Sequence, residues 1–158
     1  MKNLIISFVL LILPLSLYAK DVKIISCDRK HFISQGSSGE LIVKNQNKRD
    51  VKLKIEHEVY GGAIDTHTST FVVYGSPLNL NNDNPQLMTI SIYKNFSKPK
   101  LYMRRHLGGG IYGVNFSKDH QYVIADTRFG DFVANIRSRR TELRSLSEPT
   151  TIEVERCE

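Results

Sequence analysis

Residues 111–138, IYGVNFSKDHQYVIADTRFGDFVANIRS, decide the fold. Val114 and Phe116 alternate with polar neighbours, and Ser117-Lys118-Asp119-His120-Gln121 breaks the run with turn formers. Tyr122 and Ile124 resume the two-residue period. Phe129-Gly130-Asp131 then turns the chain into Phe132, Ala134 and Ile136. Side chains two apart share one face of a strand, so this is a three-stranded meander.

The same grammar extends in both directions. Val51, Leu53 and Ile55 alternate with Lys52, Lys54 and Glu56, which describes a strand with one wet face. Short runs rich in Val, Ile, Tyr, Phe and Thr predict strands near residues 22–27, 40–44, 51–60, 68–74, 87–93, 101–105, 111–116, 122–127, 132–138 and 151–156. Residues 75–85 are dense in turn formers, and 139–147 (RRTELRSLS) reads as helical turns or a basic loop. No internal repeat and no dividing linker are evident. The expectation is one all-β antiparallel domain of about 8–10 short strands, closed as a β-sandwich or barrel to hide its edges.

The first nineteen residues stand apart. Lys2 precedes an apolar run from Leu4 to Leu17, and Tyr18-Ala19 comes before Lys20-Asp21. A charged start, a short apolar middle and a small residue at the end describe a secretory signal peptide. The run is shorter than the roughly 20 apolar residues of a spanning helix. Residues 1–19 are read as a signal peptide cleaved after Ala19, and 20–158 as a single β domain that is periplasmic or secreted. Cleavage removes Lys2 alone, leaving 21 basic against 16 acidic residues and a formal charge of +5. That mild excess reads either as an ordinary mixed-charge surface or as attraction to an anionic partner, an acidic protein, a cell-wall polymer or lipid headgroups, and no recognisable nucleic-acid module is present.

Cys27 and Cys157 are the only cysteines. Two thiols in an exported chain are expected to pair. Such a bridge would lay the first and last segments side by side.

Catalytic patterns are sparse. None of the five histidines forms a helical metal pair, and no serine sits on a strand-to-helix elbow. Asp65-Thr66-His67 puts two metal-ligand types at strand spacing, and His57 lies between Glu56 and Glu58. Two ligands fall short of the roughly four that a closed site needs. Paired carboxylates for glycosidase work meet only in the fold, and Asp126 and Asp131 are the nearest candidates, with exposed turn and strand-end residues as the plainer reading. Asn95-Phe96-Ser97 and Asn115-Phe116-Ser117 match a glycosylation pattern that an Asn-rich chain produces by chance. No enzyme, cofactor or metal is expected.

Leu107-Gly108-Gly109-Gly110-Ile111-Tyr112 is the most distinctive stretch. Consecutive glycines allow positive φ and close backbone approach. They can serve a tight or bulged connection between strands, or a projecting loop that enters a partner. In the second reading Gly108, Gly109 and Gly110, with Arg104, Arg105, His106 and Tyr112, form the contact surface. Tyr and Arg are enriched at binding hot spots.

Gly109-Gly110-Ile111-Tyr112, then Val114-Asn115-Phe116-Ser117-Lys118-Asp119, then Tyr122-Val123-Ile124 resembles periplasmic immunity proteins. These act against peptidoglycan amidases delivered by type VI secretion. Cys27-Asp28, a late cysteine and the small-residue loop ending at Tyr112 also resemble periplasmic lysozyme inhibitors. Gly108 stands where that family's loop carries Ser. Both resemblances imply a disulfide-tied β domain whose loop plugs the active site of a cell-wall hydrolase. The alternatives are a structural or surface-associated subunit of the envelope, and an exported hydrolase or toxin.

Overall fold

The computed structural model describes residues 22–46, 49–79, 86–148 and 150–157. The signal peptide read over residues 1–19, its cleavage site and the 80–85 part of the long loop lie outside them. Among the described residues no helix is long and apolar enough to cross a membrane.

Among the described residues, twelve antiparallel strands form three separate four-stranded sheets, each a meander in chain order. Sheet I holds β1 (Lys23–Ile25), β2 (His31–Gln35), β3 (Glu40–Asn45) and β4 (Val51–Lys54). Sheet II holds β5 (Gly61–Asp65), β6 (Thr70–Gly75), β7 (Leu87–Lys94) and β8 (Lys100–Gly108). Sheet III holds β9 (Ile111–Phe116), β10 (Tyr122–Thr127), β11 (Gly130–Asn135) and β12 (Thr141–Arg144). The first strands of the sheets lie beside one another, β1 against β5 and β5 against β9.

The all-β antiparallel class stands as expected, and so does one disulfide. The strands are divided among three sheets, however, and do not wrap into one sandwich or barrel. The physical reason is the residue pattern of sheet II. Phe71-Val72-Val73-Tyr74 is buried at every position because both faces of β6 are covered. Such strands read as continuous apolar runs. Phe71 and Val73 pack with Ile24, Ile33, Leu41, Val43 and Val59 of sheet I and its exit segment. Val72 and Tyr74 pack with Ile111, Val114, Phe116, Val123 and Phe132 of sheet III. Two cores therefore flank one central sheet.

Several boundaries move. The strand read over 51–60 ends at Lys54. Residues 55–60 instead cross to sheet II, with Ile55 N–H donating to the Gly39 carbonyl and Tyr60 N–H to that of Tyr74. β2 and β5 were not foreseen. Thr141–Arg144 is an edge strand, not a helical turn. The strand read over 151–156 reduces to one bridge, Ser117 to Val154.

The first hairpin of each sheet repeats one device. Ser26 Oγ accepts from His31 N–H at 3.0 Å and donates to Asp28. Ser117 Oγ accepts from Tyr122 N–H at 2.9 Å and donates to Asp119. These hydroxyls hold the Asp28 and Asp119 carboxyls below the usual carboxylate range. Asp65 takes the equivalent place in sheet II, where it accepts from His67 N–H at 2.9 Å and from the Thr68 hydroxyl. A structural repeat is present, with spacing too uneven to show in the sequence.

After β12 the chain runs back along sheet III. Thr150 N–H donates to Asp131 at 3.2 Å, Lys118 N–H to the Glu153 carbonyl at 2.8 Å, and Glu155 N–H to the Phe116 carbonyl at 2.8 Å. Cys157 then bridges to Cys27 beyond β1, with Cα atoms 4.9 Å apart. A segment docked on sheet III is thus tied covalently to sheet I.

Candidate functional site

The stretch 108–112 joins the outermost strand of sheet II to the first strand of sheet III. Gly109 has φ +82°, and a Cβ there would lie 2.9 Å from Phe129 Cε2 and 3.2 Å from Arg128 Cβ. The Gly110 carbonyl accepts from Arg128 N–H at 3.2 Å. Gly109 is buried. The connector is therefore a tight turn capped by the β10–β11 hairpin, and the demand for glycine at 109 comes from inside the molecule.

The structure separates the side chains expected to surround it. Across β7–β8, Arg104 stands opposite Ser91 and His106 opposite Thr89, while Arg105 stands opposite Ile90. Alternation sends Arg104 and His106 to one face of sheet II and Arg105 to the other. Arg104 is mostly buried in an ion pair with Glu56, and His106 Nδ1 lies 3.0 Å from Thr89 Oγ1. Arg105 is exposed and donates to the Arg104 carbonyl at 2.8 Å. Of the predicted set, Tyr112 is the free aromatic contact, at 65 % exposure.

Other residues complete a surface at this end. Asp65 closes β5 and meets His120, which follows β9, so β5 and β9 run the same way. Their starts, preceded by Tyr60 and carrying Tyr112, therefore share one end of the molecule. The β6–β7 loop with Leu78 and the β10–β11 turn with Phe129 return to that end as well. Tyr60 and Phe129 are each 54 % exposed and Leu78 is 39 % exposed. Arg128 stands beside Phe129, with its guanidinium carbon 5.9 Å from the ring centre, and donates to Gln86 at 3.2 Å. Sequence reasoning passed over Tyr60, Leu78 and Phe129. The available signal was an aromatic residue placed in a hairpin turn, where polar residues are usual.

The candidates for chemistry are dispersed. His57 is wholly buried between sheets I and II, its Nε2 2.9 Å from Ser91 Oγ and its Nδ1 2.6 Å from the Glu58 carbonyl. Burial pushes its pKa down, so it is held neutral. Asp65 lies at the opposite end with His120. Asp126 and Asp131 face one another across β10–β11, but Asp126 is exposed and Asp131 is engaged by Thr150. Asn95, at φ 70°, accepts from Ser97 N–H at 3.1 Å and shapes the β7–β8 turn.

Three meanders whose first strands stand side by side are blades of a β-propeller-like fold. Two of the many solved structures that share it illustrate the likeness. One is Kuenenia stuttgartiensis hydrazine synthase, with TM-score 0.54 and 17 % identity, covering 78 % of this chain and 37 % of that one. The other is the β-propeller domain of Myceliophteria thermophila Cps50 (Swd1), with TM-score 0.52 and 14 % identity, covering 79 % of this chain and 41 % of that one. The chain thus spans about two fifths of the solved chains it matches, and at these identities the likeness is one of fold alone. No family model and no curated protein matches it.

Proposed function

We propose that this protein is an exported binding module that inhibits a cell-wall hydrolase by docking the Tyr60, Tyr112 and Phe129 end of its blades onto the enzyme. One observation carries the reading. Exposed aromatics from the β4–β5 connection (Tyr60), the start of β9 (Tyr112) and the β10–β11 turn (Phe129) lie at one end, beside Arg128 and the tight turn at Gly109. Large, fairly rigid aromatic side chains with Arg nearby have the composition of interface hot spots. The disulfide fits an oxidising compartment, and the resemblance to immunity proteins and lysozyme inhibitors supplies the class of partner. The docking surface differs from the loop expected at first. Gly109 shapes the turn, and Tyr112 and Phe129 make the contact.

The test is inhibition of peptidoglycan amidases and lysozymes by the purified protein. The wild type inhibits at least one of them, and the Tyr112→Ala/Phe129→Ala double variant loses at least about tenfold in affinity. Equal inhibition by a folded double variant would move the contact elsewhere. No inhibition of either enzyme class would remove the hydrolase reading.

A further inference from the structure

At the end opposite the aromatic surface, Asp65, His120 and Glu155 converge from three parts of the chain. One ligand atom from each lies within 4.8 Å of the others. The Asp65 side chain is completely buried, and its Oδ1 is 3.2 Å from His120 Nδ1. That nitrogen is itself buried and makes no hydrogen bond. The nearby carboxylate oxygen is close enough but lies off the direction in which the ring would donate. His120 adopts φ 57°, a left-handed conformation uncommon for a residue with a side chain. The His67 ring stacks on it at 4.2 Å and fixes its plane. Glu155 is set in place by its own N–H, bonded to the Phe116 carbonyl.

We propose that Asp65, His120 and Glu155 form a binding site for a divalent transition-metal cation, of which Zn²⁺ is the best fit. One imidazole nitrogen and two carboxylate oxygens are a mixed ligand set that suits zinc, with water in the fourth position. Two carboxyl groups and one imidazole offer a divalent cation three ligand atoms within reach of one another. An unbonded buried nitrogen gains a partner. Half-buried His120 and Glu155 leave a route for entry. Sequence reading paired Asp65 with His67. The fold instead gives His67 a stacking role, with its backbone N–H on Asp65, and brings the other two ligands from 55 and 90 residues away along the chain. The cation would pin the segment carrying Glu155 to sheets II and III, two residues before Cys157 ties that segment to sheet I.

Calorimetric titration of the chelator-treated, disulfide-intact protein with Zn²⁺ tests this. The wild type binds one ion per chain. Glu155→Gln, an isosteric change at a partly exposed position, and His120→Ala each weaken binding at least about tenfold. His67→Ala changes it less than either. Melting temperatures in chelator confirm that each variant is folded, and Glu155→Gln carries the test if His120→Ala is not. Absence of stoichiometric binding by the wild type overturns the proposal, as does wild-type affinity in Glu155→Gln. Loss of binding in His67→Ala with retention in Glu155→Gln would instead assign the ion to a surface histidine pair.

Discussion

Breaking the Cys27–Cys157 bridge is the sharpest perturbation of this fold. The bridge closes a loop with a sequence separation of 130. The chain-entropy relation puts the denatured-state restriction for such a loop at about 5 kcal/mol, and residual structure commonly trims the gain to roughly 3–5. Little else replaces it. Lys118 and Glu153 pair in the open, each about three-quarters exposed, which contributes roughly 0–1 kcal/mol. The backbone bonds at Lys118, Glu155 and Thr150 contribute about 1 kcal/mol each and hold the segment to sheet III only. A chain of this size loses roughly 3–4 °C per kcal/mol, so Cys27→Ser/Cys157→Ser melts about 9–20 °C below the oxidised wild type. Thermal melts in chelator, with and without reductant, measure this. Reductant lowers the wild type to the level of the double variant and leaves the variant unchanged. A difference below about 3 °C would refute the entropic argument, because no loop of this length should then be restricting the denatured chain. Two free thiols in the unfolded, unreduced protein would refute the bridge itself.

Gly109→Ala costs about 1–2 kcal/mol through its positive φ and the Phe129 contact, and Gly109→Trp costs more, both read from chemical denaturation. Normal stability in Gly109→Trp would return the loop to the role of a projecting plug. His57 is held neutral in the fold with its pKa lowered, so below about pH 6.5 the unfolded chain takes up a proton that the folded one resists. Its contribution is full above that pH and is lost as pH falls. His57→Gln therefore flattens the fall in unfolding free energy between pH 7 and 5 relative to the wild type, and an unchanged slope would show that other groups set it. Asp28→Asn and Asp119→Asn each remove a carboxylate stabilised by a serine hydroxyl, so stability falls less steeply in the variants below about pH 4.

The sequence announced strands wherever alternation or a long apolar run was present, as in β4, β6 and β9 to β11. It was silent on β5 and β12 for different reasons. Gly61-Gly62-Ala63 reads as loop by propensity, yet a Cβ at Gly62 would lie 2.2 Å from the Val72 carbonyl oxygen, so β5 is built from small residues by crowding at its pairing with β6. Thr141–Arg144 is a short polar edge strand, whose charges suit an exposed edge and hide its strand character. The split of Arg104 and His106 from Arg105 was legible in principle, because it follows from the two-residue period alone. The meeting of Asp65, His120 and Glu155 was not, since only the pairing of sheets II and III with the returning segment brings them together.

Three sheets in a row create two interfaces and two outward faces, and the chain treats those faces differently. On sheet III, Ile124 and Val133 stand opposite one another and are buried without belonging to either core. The segment after β12 runs along this sheet, with Arg144 on Thr150, Thr150 on Asp131, and Ile152 half-buried. On sheet I the outward face is finished with charge. Ile25, Phe32 and Ile42 are interleaved with Lys23, Lys44 and Lys52, and the Lys23 ammonium lies 4.8 Å from the Phe32 ring centre. Lysine stems cover apolar surface while their heads stay in water. The apolar cores join sheet I to II and sheet II to III, so the disulfide supplies the covalent tie between the two flanking sheets. Holding those sheets in place also fixes the spacing of the connections between them. Tyr60 ends one of those connections and Tyr112 stands at the start of β9 just past the other, so a surface made of separate segments can present one fixed shape to a partner.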